Sequence, residues 1–258
     1  MHISFSELKN WDQCPYYHKL TYIDRINKFQ GNEFTAFGTA VHTVCENLLL
    51  GKSSNDSAPL EFKKEFLKEL KSLPDDHEFK KDLVFQMKEQ GVDLTVEVMA
   101  GVDEYFENGY EVISTEENIM EPVKDFLDAE YNFKGFIDAV LKTPDGKYHV
   151  IDWKTCGWGW DARKKADRIT TYQLTFYKHF FALKHNIDPK NIETHFALLK
   201  RTAKKDRIEL FRVTSGSIKT KNAIKFLTEA LYNIHKKKYI KNRSACSGCE
   251  FSNTPHCT

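Results

Sequence analysis

The period of the hydrophobic residues changes near Tyr110, and this change limits the fold more than any other feature of the chain. Before it, apolar residues recur at helical spacing over about 35–50 and, within a charged stretch, over about 60–108. Three segments rich in β-branched and aromatic residues follow, at about 110–120, 131–143 and 147–154. The sequence therefore predicts an N-terminal helical region followed by a sheet.

The last two of these strands are predicted to form a hairpin, because Pro144-Asp145-Gly146 lies between them. The later predicted elements are a helix at about 163–185, strands near 192–200 and 207–213, and a helix at about 216–239. Helices before, between and after the strands indicate an α/β fold in which helices flank a mixed central sheet. A cysteine-rich tail follows the last helix.

The composition allows one substantial core. The 258 residues are 41% hydrophobic and 13% aromatic, which suits one elaborated domain. We expect that domain to span 1–258, with a helical insert at about 52–109 and the sheet core at about 110–213. No window has the roughly 18 consecutive apolar residues of a membrane span, and the N-terminus lacks a secretory pattern. We therefore expect a soluble, cytoplasmic protein with no membrane partner.

The net charge of +1 conceals two halves of opposite sign. Residues 1–130 carry 13 Lys and Arg against 26 Asp and Glu, a balance of −13, while residues 131–258 carry 25 against 11, a balance of +14. The second half is therefore suited to a polyanion. An acidic face packed beside a basic face explains the same numbers equally well.

Asp152 and Lys154 are two residues apart in the strand at 147–154, so they point to the same face. The preceding strand brings Asp138 to the hairpin partner, where it can approach Asp152. Two carboxylates at this distance repel each other unless a cation lies between them, and their oxygen atoms suit a hard divalent ion. A lysine beside them can activate a water and offset charge on a phosphate. A salt bridge on an exposed strand is the simpler explanation of Asp-x-Lys alone.

Further polar residues accompany this pair. Gln173 and Tyr177 are four residues apart on a predicted helix and project from one face. The segment 38–42 ends with His42 on the polar side of the early helix. Glu116 or Glu117, on a neighbouring strand, is a candidate ligand for a second ion.

Four short segments that contain these residues resemble, in their order along the chain, the RecB-like exonuclease branch of the PD-(D/E)XK nuclease superfamily. The matching segments are Gly38-Thr39-Ala40-Val41-His42, Gly135-Phe136-Ile137-Asp138, Asp152-Trp153-Lys154 and Gln173-Leu174-Thr175-Phe176-Tyr177. The resemblance implies a restriction-endonuclease-like fold and a deoxyribonuclease that uses Mn²⁺ or Mg²⁺. The metal ligands that it implies are His42, Asp138, Asp152 and the Trp153 carbonyl. The other roles that it implies are assistance to the water for Lys154 and DNA contacts for Gln173 and Tyr177.

Six cysteines lie at positions 14, 45, 156, 246, 249 and 257, and the crowding of the last three indicates metal or cluster ligation. This arrangement resembles the iron–sulfur subgroup of these nucleases, which includes AddB-type helicase–nucleases and CRISPR-associated RecB-like exonucleases. The resemblance implies a [4Fe-4S] cluster on Cys14, Cys246, Cys249 and Cys257. The gap before Cys257 is longer than is usual there, which leaves Zn²⁺ or a His256 ligand open. Cys45 is expected to be buried in a helix and Cys156 to be a loop thiol.

The residues expected to touch DNA lie after the catalytic strand and on the late hairpin. Trp158 and Trp160 can stack on unpaired bases, or they can fill the core. The basic candidates, which can equally be solvated surface charges, are Lys200, Arg201, Lys204 and Lys205.

The expected function is that of a bacterial, archaeal or phage-encoded exonuclease that uses a metal-activated water on single-stranded or frayed DNA ends. Its protein partners would act in recombination, repair, phage replication or CRISPR adaptation. The alternatives are a non-catalytic DNA-binding or partner-binding module and an endonuclease of the same superfamily.

Overall fold

The computed structural model describes residues 1–26, 29–124, 126 and 130–258. The α-helices are α1 (Phe5–Gln13), α2 (Pro15–His18), α3 (Glu33–Leu49), α4 (Ala58–Lys71), α5 (Lys81–Thr95), α6 (Val98–Tyr105), α7 (Ala162–Ala166), α8 (Arg168–His185) and α9 (Ser217–His235). The strands are β1 (His2–Ser4), β2 (Glu111–Pro122), β3 (Asn132–Lys142), β4 (Tyr148–Cys156), β5 (Ile192–Lys200) and β6 (Ile208–Arg212). Across these described stretches, no helix combines the length and the apolar character that crossing a bilayer requires.

β3 pairs with three other strands, β1, β2 and β4, in a six-stranded mixed sheet. β2 pairs antiparallel along one edge of β3. The other edge has two partners, because β1 pairs parallel with the first residues of β3 and β4 pairs antiparallel with its last residues. β5 then pairs parallel with β4, and β6 pairs antiparallel with β5. The α/β fold and the β3–β4 hairpin around Pro144-Asp145-Gly146 are therefore confirmed.

Helices cover both faces of this sheet. On one face, α8 and α9 contribute side chains such as Phe176 and Leu227 to a buried cluster. On the other face, α3 to α6 contribute side chains such as Phe37 to a second cluster. Phe196 and Ala197, which are neighbours in β5, belong to the first and the second cluster respectively. Consecutive residues of a strand point to opposite faces, so β5 is an interior strand that is buried on both sides.

The start and the buried face of α3 follow from its own sequence. Asn32 caps the helix, because its side chain accepts the backbone N–H groups of Phe34 and Thr35, each at 3.0 Å. Thr35 in turn accepts the backbone N–H of Asn32 at 2.8 Å, which completes a capping box. The apolar residues at helical spacing are buried, and they are Phe37, Val41, Val44, Cys45, Leu48 and Leu49. The burial expected for Cys45 is therefore confirmed.

Two predicted helices differ from the observed ones. The helix expected at about 163–185 is divided into α7 and α8, because the Asp167 side chain accepts the backbone N–H of Thr170 at 2.7 Å and begins a new helix. The final helix ends at His235 rather than near residue 239. Lys237 follows with a left-handed backbone, at φ 53°, which ends the helical path.

Candidate active site

The sheet splits where β3 passes from one neighbouring strand to the other. β1 pairs with β3 up to Lys134, and β4 pairs with β3 from Ala139, which lies opposite Ile151. Asp138 lies in the interval, where the described residues show no strand pair on that edge. Its Oδ2 instead accepts the backbone N–H of Trp153 at 2.7 Å. A carboxylate thus satisfies a backbone group that the hairpin leaves without a strand partner. We call residues 135–138 and 152–154 the strand fork.

Asp152 lies at the strand fork and is only 2% exposed. Its Oδ1 accepts a hydrogen bond from Gln173 Nε2 at 2.7 Å, and its Oδ2 forms an ion pair with Lys154 Nζ. Gln173 Nε2 also lies 3.1 Å from the Tyr177 hydroxyl. The structure therefore brings Asp152 and Lys154 together, and α8 adds the two polar residues that the sequence places on one helical face.

His42 reaches the strand fork from α3. Its Nδ1 lies 3.8 Å from Asp138 Oδ2. Burial and then the positive charge of Lys154 lower the pKa of His42 to about 4, against an opposing hydrogen bond with the Trp153 backbone. The imidazole is therefore neutral near pH 7, and a neutral imidazole has a lone pair that can bind a metal ion.

The two carboxylates of the strand fork are costly to ionise together. Burial, followed by the negative charge of Asp152, raises the pKa of Asp138 well above its ordinary value. Burial also raises the pKa of Asp152, although the charge of Lys154 opposes that shift. One ammonium group thus faces two buried carboxylates. A divalent cation would offset the remaining negative charge, and oxygen atoms are the ligands that hard cations prefer.

Of the two neighbouring glutamates, Glu116 faces the strand fork. Its negative charge contributes to the raised pKa of Asp138. Burial and then the charge of Glu46, from α3, raise the pKa of Glu116 itself. Glu117 points elsewhere and accepts a hydrogen bond from Lys184 Nζ at 2.6 Å. Glu46 did not enter the predicted ligand sets, and it is the additional carboxylate that the fold brings close.

A steric contact accounts for Gly135 in β3. A Cβ added there would lie 2.8 Å from Cε1 of Tyr177, closer than two carbon atoms normally approach. The absence of a side chain therefore allows β3 to pass close to the Tyr177 ring, whose hydroxyl contacts Gln173. In the sequence, Gly135 was marked only by a resemblance to known nucleases.

The fold and this arrangement of residues agree with the match to a known family. The family model described as the PD-(D/E)XK nuclease superfamily matches residues 2–254. The chain belongs to the PD-(D/E)XK nuclease superfamily. The nuclease class implied by the resemblance is therefore confirmed at the level of the superfamily. Members of this superfamily generally use divalent metal ions, which suits the carboxylates and the imidazole at the strand fork.

Two solved structures are similar to this PD-(D/E)XK nuclease. One is a protein from Eubacterium rectale to which the activity of an exonuclease has been assigned. It is 14% identical, with a TM-score of 0.60 over 96% of this chain and 86% of its own. Another, SSO0001, is 14% identical, with a TM-score of 0.46 over 100% of this chain and 87% of its own. At such identity the first likeness shows a shared fold. No curated protein sequence matches the chain.

The two ends of this PD-(D/E)XK nuclease meet at a pocket. The cysteines that line it are Cys14, Cys246, Cys249 and Cys257, and all four are free thiols. Asn242 links the tail to the first helices, because its backbone N–H lies 3.3 Å from Cys14 Sγ and its side chain donates to Gln13 O at 2.9 Å. Tyr16 donates its hydroxyl to the His256 carbonyl at 3.1 Å. The fold thus assembles the four cysteines that the sequence singled out.

The residues that follow β4 differ from one another in environment. Trp158 is 77% exposed and accessible to a base. Trp160 packs against Phe196 and Phe211, with ring centroids 5.0 and 6.2 Å apart, so the structure supports the core account of this residue rather than base stacking. Cys156, expected in a loop, is the partly buried last residue of β4.

The four basic candidates near the β5–β6 turn also differ. Lys200 forms an ion pair with Glu209 at 3.3 Å, and Arg201 donates to a glutamine side chain of α5. These two residues stabilise the turn. Lys204 and Lys205 are exposed and accessible to a phosphate.

A group of histidines lies near the start of β4 and β5. Ligand atoms of His149, Glu193 and His195 all lie within 4.8 Å of one another, a spacing that can hold a metal ion. The same rings are joined by hydrogen bonds, with 3.0 Å between His149 Nδ1 and His195 Nε2. His195 Nδ1 lies 3.2 Å from the Tyr105 hydroxyl, and His149 Nε2 lies 2.9 Å from Thr143 Oγ1. These bonds satisfy all four ring nitrogens within the protein.

Proposed function

We propose that this protein is a metal-dependent DNA exonuclease of the RecB-like branch, acting on single-stranded or frayed ends. The observation that carries the proposal is the meeting of His42, Asp138, Asp152 and Lys154 at the strand fork. A neutral imidazole and two buried carboxylates form a ligand set for a divalent cation. The ammonium group of Lys154 beside them suits a substrate that is a phosphodiester.

In this proposal, Asp138, Asp152, His42 and the Trp153 carbonyl hold the divalent ion. Such an ion polarises a phosphoryl oxygen and lowers the pKa of a water molecule. An imidazole in the ligand set favours Mn²⁺ over Mg²⁺ relative to a site made of oxygen atoms alone. Glu116 is the carboxylate that would support a second ion.

The remaining residues position the reactants. Lys154, which pairs with Asp152 in the free protein, offers positive charge to the phosphate and assists the attacking water. Gln173 fixes the orientation of Asp152 through its 2.7 Å hydrogen bond, and Tyr177 contacts Gln173 in turn. Both α8 side chains also contact DNA in this proposal, because they border the strand fork.

Two other functions compete with this proposal. A non-catalytic DNA-binding or partner-binding module is disfavoured, because Asp138 and Asp152 would repel a phosphate in the absence of a cation. An endonuclease of the same superfamily has the same requirements at the strand fork. The exposed Trp158, two residues beyond β4, supports a substrate with unpaired bases, since aromatic rings stack on such bases.

We also propose that the four cysteines of the terminal pocket hold a [4Fe-4S] cluster, as in the iron–sulfur subgroup. His256 does not line that pocket, which favours four thiolates over three thiolates and one imidazole. The four free thiols line one pocket between the two ends of the chain, a placement that supports a shared metal centre.

We propose one domain over 1–258, with 52–109 as a helical insert and 110–213 as the nuclease core. Support comes from the second buried cluster, in which Phe62 of α4 and Trp153 of β4 both take part. Its protein partners would be those of recombination, repair, phage replication or CRISPR adaptation.

The activity is tested on single-stranded DNA as an end-labelled linear strand and as an internally labelled circle, with Mn²⁺, Mg²⁺ or a chelator. We expect wild type with Mn²⁺ to degrade the linear strand and leave the circle intact. Asp152→Asn should lower the rate by at least about 10²-fold, while Asp206→Asn, which changes an exposed turn residue, should retain full activity. Cleavage of the circle would identify an endonuclease, and binding without cleavage would identify a binding module.

The cluster is tested on anaerobically purified protein. We expect a brown protein with about four iron and four sulfide per chain. A colourless protein with one zinc ion would contradict the cluster proposal.

A further inference from the structure

A polar pocket lies between α1, α7 and the first turn of α8. Its charged residues are Lys9, Arg163, Lys164, Asp12, Asp161 and Asp167. We call it the flank pocket. Ile169, which also lines it, precedes Gln173 by one helical turn, a rise of about 6 Å along α8. The flank pocket therefore adjoins the strand fork, where Gln173 contacts Asp152.

The acidic residues of the flank pocket all have hydrogen-bond or ion-pair partners within the protein. Asp161 and Asp167 each cap a helix by accepting a backbone N–H at 2.7 Å. Asp12 forms an ion pair with Arg168 at 3.2 Å. Their negative charge is thus largely matched by groups of the protein.

The basic residues are not matched in this way. Neither Lys9, Arg163 nor Lys164 has a carboxylate within 4.0 Å among the described residues. Partial burial and then the charges of Lys164 and Lys154 lower the pKa of Lys9, while the charge of Asp167 opposes that shift. The ammonium groups of Lys9, Lys164 and Lys154 therefore repel one another. A mobile anion would relieve this repulsion. Lys9 and Lys164 are exposed, so an anion can reach them from solvent.

We propose that the flank pocket binds a backbone phosphate of the DNA strand adjacent to the bond cleaved at the strand fork, with Lys9 and Lys164 as its contacts. This inference rests on the proposed nuclease function. The bound DNA strand would then run from Asp152, past Gln173, to the first turn of α8. No motif or periodicity marks Lys9 in the sequence.

The test combines a lysine variant with substrates that lack one phosphate charge. Linear single-stranded oligonucleotides carry one neutral methylphosphonate, moved one position at a time from the labelled end. We measure KM, kcat and the salt dependence of KM with Mn²⁺ for wild type, Lys9→Ala and Lys68→Ala. Lys68 is a matched control, because it is a 67% exposed lysine on α4 that lies outside the flank pocket.

We expect Lys9→Ala to raise KM by up to roughly fivefold, which corresponds to the loss of one exposed charge pair, with kcat unchanged. The slope of log affinity against log salt should fall by about 0.7, as for one contact to a single strand. One methylphosphonate position should raise the KM of wild type by a similar factor and leave the KM of Lys9→Ala unchanged. Lys68→Ala should match wild type throughout.

If Lys9→Ala responds to every methylphosphonate as wild type does, the flank pocket does not bind that phosphate, although cleavage still supports the nuclease function. If wild type cleaves nothing, the nuclease function fails instead. In that case, fluorescence anisotropy gives the dissociation constants of wild type and Lys9→Ala for the same oligonucleotides. These constants test the flank pocket by the comparison described above for KM.

Discussion

Acidification is expected to destabilise the protein through the buried pair His149 and His195. His195 is 1% exposed. Burial, then the charges of His149 and Arg212, lower its pKa to about 3, against about 6.5 in an unfolded chain. Between these values the unfolded chain binds a proton that the folded chain does not bind. The free energy of unfolding therefore falls as the pH drops below about 6.5, and it recovers as the pH rises.

The magnitude follows from the size of this shift. One pH unit inside the interval corresponds to about 1.4 kcal/mol for each histidine. Between pH 7.5 and 5.0, His195 alone should thus lower the free energy of unfolding by about 2 kcal/mol. The hydrogen bonds agree with two neutral rings, since Tyr105 can donate to His195, His195 to His149, and His149 to Thr143 in one direction.

The assay is urea denaturation at pH 7.5 and 5.0, followed by circular dichroism, for wild type and His195→Gln. Other groups also titrate in this range, and the carboxylates of Asp138 and Asp152 act in the opposite sense because their pKa values are raised. We therefore compare the change in the free energy of unfolding between pH 7.5 and 5.0 in the two proteins. Wild type should lose about 2 kcal/mol more than the variant on acidification. His2→Gln, which removes an exposed histidine, should behave as wild type. Equal losses of stability in wild type and His195→Gln would show that His195 does not bind the proton only in the unfolded chain.

Three further predictions concern the site and its surroundings. Gly135→Ala should lower kcat and destabilise the fold by roughly 1–3 kcal/mol, because the new Cβ would displace the Tyr177 ring; unchanged kinetics would remove Tyr177 from the site. Cys249→Ser should lower the Tm, the soluble yield and the iron content, whereas full iron content would exclude Cys249 as a ligand. Trp160→Ala should cost roughly 3 kcal/mol of stability in denaturation assays. Trp158→Ala should leave stability nearly unchanged and weaken single-strand binding by about 1–3 kcal/mol. A loss of stability in Trp158→Ala, or a loss of binding alone in Trp160→Ala, would contradict these roles.

Much of the fold could be predicted from local patterns. The strand positions and α3 agree with the structure to within a few residues, because hydrophobic period and capping residues act over one or two turns. The same reasoning placed Asp152 and Lys154 on one face, since a strand repeats every two residues. Gln173 and Tyr177 were placed together by the spacing of a helix.

Other features depended on contacts between distant segments. The two adjacent glutamates of β2 must point to opposite sides, but only the packing of α3 and α8 shows that Glu116 faces the strand fork and Glu117 does not. Trp158 and Trp160 have the same local pattern, and only the rings of β5 and β6 distinguish them. Lys9 carries no signal in the sequence, because the basic residues that share the flank pocket with it, Arg163 and Lys164, lie more than 150 residues away along the chain.

Spacing along the chain is enough to predict the order of helices and strands, the face shared by Asp152 and Lys154, and the set of cysteines. How these parts form a site depends on the packing of distant segments. Asp138 faces β4 because β1 and β4 share one edge of β3 and leave a backbone N–H of β4 for its carboxylate. His42 is neutral because the fold buries it beside Lys154. Burial and charge at a point in space are sums over segments that are remote in sequence, so no local pattern contains them.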